Sequence, residues 1–167
     1  MPMPSILNFS RNRSTRVEQI DDKTIRSSCL LQDTLTDAFV EITVRLPDLE
    51  IIGVKSKVDR SFQEEGLRPV RSLQKVVGVR IGPGVLKIIK GLIGEKTEYK
   101  QLAFMVEECC HGVILAFTKD VVAERPRDME NPEEFYGNMV RENIRLYNRC
   151  AAFAPGSSIV EGIEPPK

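Results

Sequence analysis

Phe39-Val40-Glu41-Ile42-Thr43-Val44-Arg45-Leu46 is the stretch that decides the fold. Val40, Ile42, Val44 and Leu46 recur at period two, with Phe39, Glu41, Thr43 and Arg45 between them. Successive side chains of a strand point to opposite faces, so one face of this strand meets a core and the other meets mostly water. Working back, Thr15 to Ile20 and Ile25 to Gln32 also read as strands, joined by the turn Asp21-Asp22-Lys23. Asp33 to Asp37 makes the next corner. Working forward, Pro47-Asp48 turns the chain into a fourth strand, Leu49 to Val58. Its expected inner face is Ile52, Val54, Ser56 and Val58, set against Ile51 and Lys55. Connections this short join antiparallel neighbours, so the four strands form a meander.

Beyond residue 60 the apolar period lengthens. Ser61-Phe62-Gln63-Glu64 has the form of a capping box, and Gly66 stops that turn. Pro69 can open a helix carrying Val70, Leu73, Val76 and Val77, which Gly78 ends. Val85 to Ile93 is a short helix closed by Gly94. A longer helix begins at Thr97 or Glu98 and reaches Ala123, with Leu102, Val106, Cys109, Val113 and Phe117 along one side and Ala103, Cys110 and Ile114 beside them. That wide arc makes it the most buried helix. Asn131-Pro132-Glu133-Glu134 is a helix start, with a capping Asn, Pro in the first turn and acids at the positive end. This last helix is expected to run to Phe153, with Tyr136, Met139, Val140, Tyr147 and Cys150 inward. Strands first and helices after is the α+β pattern: a four-stranded meander with four or five helices on one face. Residues 13–155 form the single domain, with 1–12 a mobile start and 156–167 a loose tail.

The chain has 24 basic and 24 acidic side chains, with 41% apolar residues, an ordinary globular composition. The balance conceals a basic middle: residues 55–100 hold 11 bases and 5 acids. Only Phe62 and Tyr99 interleave there, so a nucleic-acid partner is disfavoured. No stretch reads as a membrane helix of ~20 apolar residues, and the start lacks a signal pattern. The expectation is a cytoplasmic protein with no membrane partner. Its cysteines, Cys29, Cys109, Cys110 and Cys150, are then reduced thiols.

Chemistry is sparse. The lone histidine, His111, follows Glu107 and Glu108 at helical spacing, so either carboxylate can share its face. Cys109 and His111 point apart on a helix, while Cys110 and His111 can share an ion. Asp33 and Asp59, at strand ends, are the candidate carboxylates to complete such a set. The alternative for these residues is small buried thiols, a surface imidazole and turn-capping aspartates. Gly82-Pro83-Gly84, with Arg80 and Lys87 nearby, is a candidate anion cradle at a helix start. Against it, Pro83 has no N–H, and the alternative is a tight corner.

The stretch Val17 to Leu115 resembles the bacterial family catalogued as domain of unknown function 2889. The resemblance rests on Leu30-Leu31-Gln32-Asp33-Thr34, on the paired strands and on Val77-Gly78-Val79-Arg80-Ile81-Gly82-Pro83-Gly84 followed by Gly94 and Leu102. It implies a fold and no activity. Where that family carries Gly-Cys-x-His-Leu, this chain has Glu98-Tyr99-Lys100-Gln101-Leu102. More remotely, the strands and Cys110-His111-Gly112-Val113-Ile114-Leu115-Ala116 resemble the U-type iron–sulfur cluster assembly scaffolds. Of the three thiols that resemblance would need, one is kept, at Cys110; the other two positions fall near Thr34 and Asp59. The expected function is therefore a non-catalytic binding or accessory protein for a small molecule or protein, with no cofactor. Its site is expected between Asp33, Asp59 and the helix carrying Cys110 and His111. The alternative is a metal- or thiol-dependent enzyme, or a metal or cluster carrier, using Cys110, His111 and Glu107.

Overall fold

The computed structural model describes residues 7–61, 71–94, 100–123, 125–126, 129–148 and 150–165. Four strands, β1 (Arg11–Asp21), β2 (Thr24–Asp33), β3 (Asp37–Arg45) and β4 (Glu50–Arg60), pair in chain order as one antiparallel sheet. The α+β meander expected from the alternation is the observed architecture. Val40, Ile42 and Val44 of β3 are completely buried, and Phe39, Glu41 and Thr43 between them are half-buried on the other face.

β4 departs from the expected alternation. Thr43 pairs with Gly53 but Val44 pairs with Ile51, which leaves Ile52 as an extra residue. A bulge of one residue exchanges the two faces of a strand on either side of it. Ile51 is therefore buried and Ile52 is 42% exposed, the reverse of the period-two expectation, while Val54 returns to the core. A second bulge follows where Asp37 pairs with Arg60 and Ala38 with Val58, and its extra residue is Asp59. β1 extends further than its own pattern suggests, because Arg11 to Ser14 are held in register by Asp33 to Leu30 of β2.

Among the described residues three α-helices follow: α1 (Val85–Ile93), α2 (Lys100–Ala123) and α3 (Pro132–Glu142). α2 lies across β1, β2 and β3 and covers the inner face. Leu102, Val106, Cys109 and Val113 are buried along it, with Ala103, Cys110 and Ile114 beside them. At Gly112 the helix comes close to the sheet: a Cβ there would stand 3.0 Å from the Thr15 methyl and 3.2 Å from a Val17 methyl, so a side chain would force its neighbours to shift. Buried Ser27 donates its hydroxyl to the Cys109 carbonyl at 2.8 Å, and the Cys109 thiol faces the Val40 carbonyl at 3.7 Å. Among the described residues, Lys100–Lys119 of α2 is long and apolar enough to cross a membrane by length and composition, where none was expected. In the fold, 56% of that stretch is buried.

Two helices differ from expectation. Leu73 and Val76 are buried as foreseen, but on a 3-10 helix, Arg71–Val76, and Val77 is exposed. The capping box at Phe62–Glu64, the stop at Gly66, Pro69 and Val70, and the helix start at Thr97 or Glu98 lie outside the described residues. α3 begins at its Asn131 cap, whose side chain accepts from the Glu134 amide at 3.2 Å, yet it ends at Glu142 instead of running to Phe153. Asn143 leaves helical geometry, and Asn148 sits at φ 57°, the left-handed region asparagine tolerates. Met139 and Val140 stay inward as expected, whereas Cys150 is exposed. The tail carries a further turn, Ser158–Val160: Val160 is buried, and the Ser158 hydroxyl donates to Glu133 at 2.7 Å.

The outer face of the sheet is a row of charges. Arg26 lies 3.9 Å from Glu18 and 3.6 Å from Glu41, and Glu41 accepts from Lys55 at 3.2 Å. Four strands thus contribute one alternating chain of acid and base, which suits a face open to water.

Candidate functional site

The four residues considered for a metal do not converge. Asp33 is consumed at its own corner. One oxygen accepts the Leu35 amide at 2.8 Å and the Thr36 amide at 2.6 Å, and the other takes two bonds from Arg11 at 3.0 and 2.8 Å. Burial would raise its pKa, but the two amides and the guanidinium outweigh burial and hold the carboxyl below its ordinary range. An anion so satisfied is a strap between β1 and the β2–β3 corner, and it has no lone pair to spare for a ligand. Asp59 sits on its bulge at the solvent edge of β4, paired with Lys57 at 2.7 Å. Cys110 is fully buried on α2, while His111 beside it is exposed. Among the described residues no group of three or more His, Cys, Asp and Glu side chains is arranged to hold a metal ion.

The thiols are equally withdrawn. Cys29, Cys109 and Cys110 are buried and Cys150 is exposed. Burial pushes the Cys109 thiol far above its ordinary value, and neighbouring Cys29 and Cys110 add to that. Cys29 is raised too, mainly by burial. The thiolate is the reactive form, so burial disfavours reaction at Cys29 and Cys109, while Cys150 is open to solvent.

Gly82-Pro83-Gly84 is a corner. Gly84 has φ 77°, which glycine adopts without strain. The first amides of α1 turn inward: Val85 donates to the Gly82 carbonyl at 3.2 Å and Lys87 to the Gly84 carbonyl at 3.0 Å. Arg80 points to acids instead, 3.8 Å from Asp48 and 4.0 Å from Glu50. Lys87 is exposed. Gly82 is packed under Arg145, whose Nε donates to the Ile81 carbonyl at 3.1 Å. Two of the amides an anion would need are engaged within the chain, and one of its candidate cations lies beside two carboxylates.

What the fold does bring together lies on a surface of α2 that borders α1 on one side and the β1 edge of the sheet, through Arg13, on the other. Glu107 and Glu108 stand three and four residues after Phe104 and four and three before His111, so the four border one face. With Val85 and Leu86 of α1, Ile114 and Asn148 they line a cavity of about 260 Å³. A second hollow of about 460 Å³, lined by Lys90, Gly94, Lys100, Ala103, Phe104 and Glu107, adjoins it. Phe104 and Glu107 line both hollows. Burial raises the Glu107 pKa, partly offset by Lys90 and reinforced by Glu108. Glu108 is loosely paired with Arg13 at 3.7 Å, and that guanidinium lies over the Phe104 ring, 4.6 Å from its centroid. The helical spacing of Glu107 and His111 was visible in the sequence. Phe104 shares that spacing but has no titratable group to single it out, and Asn148 and the α1 wall are brought there only by tertiary packing. No family model, no curated protein and no solved structure matches the chain.

Proposed function

We propose that this chain is a non-catalytic binding protein whose hollows beside α2 take a small amphipathic molecule carrying a positive charge. The observation that carries this reading is the pairing of apolar walls, Val85, Leu86, Phe104 and Ile114, with the partly buried carboxyl of Glu107. Ligand sites are mostly apolar with a few polar groups that set orientation, and the two adjoining hollows together fall within the ~300–1,000 Å³ usual for them. A cation seated beside Glu107 would relieve the burial that raises its pKa. A cytoplasmic setting belongs to the same reading, supported by four unbridged cysteines. The likeness to domain of unknown function 2889 also stands as a proposal; it rests on the run from Val77 to Gly84. With no activity attached to that family, it adds no chemistry.

Calorimetric titration with short primary alkylamines, alkyl carboxylates and inorganic phosphate tests the proposal. The amines are expected to bind saturably, and the other two not. Glu107→Gln should weaken amine binding by about tenfold, the order of one charge-assisted bond. Because the Glu107 pKa is raised, protonation begins at a higher pH than for an ordinary carboxyl, so affinity should fall on acidification from neutral pH. Equal binding of amines and carboxylates, or no loss in Glu107→Gln, would overturn the reading.

A further inference from the structure

We infer that β1 is a pairing edge, and that two copies of the chain join through it as antiparallel neighbours about a two-fold axis at Val17. β1 is 11 residues long and exposed throughout except for half-buried Val17. β2 occupies one side of it, and among the described residues no strand occupies the other. Proteins blunt an open edge by shortening it, bulging it along its length, covering it or placing charges and prolines on it, and of these β1 carries only charges, sorted by sign. β1 is as long as any strand in the sheet, contains no proline, and carries its one irregularity at Ile20, near its end. The opposite edge is treated differently. There the Ile51 amide donates to the Val79 carbonyl, and the Gly78 and Ile81 amides donate back to the Ile51 and Leu49 carbonyls, so β4 is covered at its start.

The order of charges selects the occupant. The bases Arg11, Arg13 and Arg16 fill the first half of β1, and the acids Glu18 and Asp21 fill the second. Antiparallel pairing sets the first half of one copy against the second half of the other. With Val17 on the axis, Arg16 stands directly across from Glu18 of the second copy, twice by symmetry, and Thr15 across from Gln19. Arg16 and Glu18 lie on the same face of the sheet, since their partners in β2 are Ser28 and Arg26, two residues apart. Opposite charges directly across an antiparallel pair stabilise it and like charges oppose it. A parallel alignment in register would set like on like. The edge therefore favours its own antiparallel copy, and the product is a continuous eight-stranded sheet.

Sedimentation equilibrium of the full chain, from about 1 to 100 μM, tests this over the range of a modest self-association. The native chain should show a monomer–dimer equilibrium. Arg16→Glu and Glu18→Arg, both at exposed positions, should each weaken the dimer by at least tenfold with an unchanged circular dichroism spectrum. Mixing the two variants in equal amounts should restore a dimer. Hydrogen exchange supplies a second reading: those amides of 15–19 that point away from β2 should gain protection as concentration rises. A monomer throughout the range, a dimer indifferent to both substitutions, or a mixture that fails to recover overturns the proposal.

Discussion

Asp33 shows how far a residue's role is set by what surrounds it. In the sequence it is an aspartate at a strand end, a candidate ligand but more often a turn residue that bonds its own backbone. In the fold its side chain is 1% exposed and bonded to two amides and to Arg11. The turn reading belongs to local chemistry and could be foreseen; the Arg11 partner, 22 residues away, could not. Its carboxyl is held below the unfolded value of about 3.9. The stability it contributes is thus fully present above that pH and is lost as the pH falls through the lower, folded value. Asp33→Asn should cost about 1–2 kcal/mol at neutral pH, the order of a charge-assisted bond with one exposed partner. The difference from the native chain should shrink below pH ~4, which urea unfolding at a series of pH values would show. A gap that persists unchanged at low pH would remove the charge from the explanation.

At the scale of the element, β3 and β4 are a contrast in legibility. Strict alternation from Val40 to Val44 fixes both the strand and its buried face. Val44→Asp should therefore unfold the domain or cost more than about 4 kcal/mol, because an unpaired carboxylate would enter a fully buried position. Thr43→Asp, one residue away on the wetter face, should cost under about 1 kcal/mol. Equal melting temperatures would refute the register. β4 has the same kind of sequence, but pattern reading placed Ile52 on the wrong face. Ile51-Ile52 offers two equivalent apolar residues in succession, and which of them turns inward is decided by the bulge, a property of the pairing with β3. Gly53 next to it, where an added Cβ would stand 3.7 Å from Thr43, was the available hint, since an isolated glycine in a strand often marks a bulge. α3 was overextended for a similar reason. Apolar spacing continues past Glu142, but Asn143 and Asn148 turn the backbone out of the helix. The candidate site was half legible: one helix supplies Glu107 and His111 at readable spacing, and a second supplies the wall.

Across the whole molecule, three of four cysteines are sealed between sheet and helices. A disulfide-exchange reagent added to the folded chain should titrate one thiol quickly, Cys150, and all four after denaturation. Fast reaction of two or more in the native state would contradict the burial of α2 against the sheet. Chain order adds a matter of timing. Each strand pairs with its sequence neighbour, so successive hairpins can assemble as soon as β4 has been made. The helix that closes over Val40, Ile42 and Ile51 comes later, and the Ser27 bond to Cys109 spans 82 residues. At roughly 5–20 residues per second, the ribosome needs about 3–13 s to proceed from Arg60 to Ala123. During synthesis the sheet therefore spends seconds with its inner face bare, and this is when the growing chain most needs a chaperone's shelter.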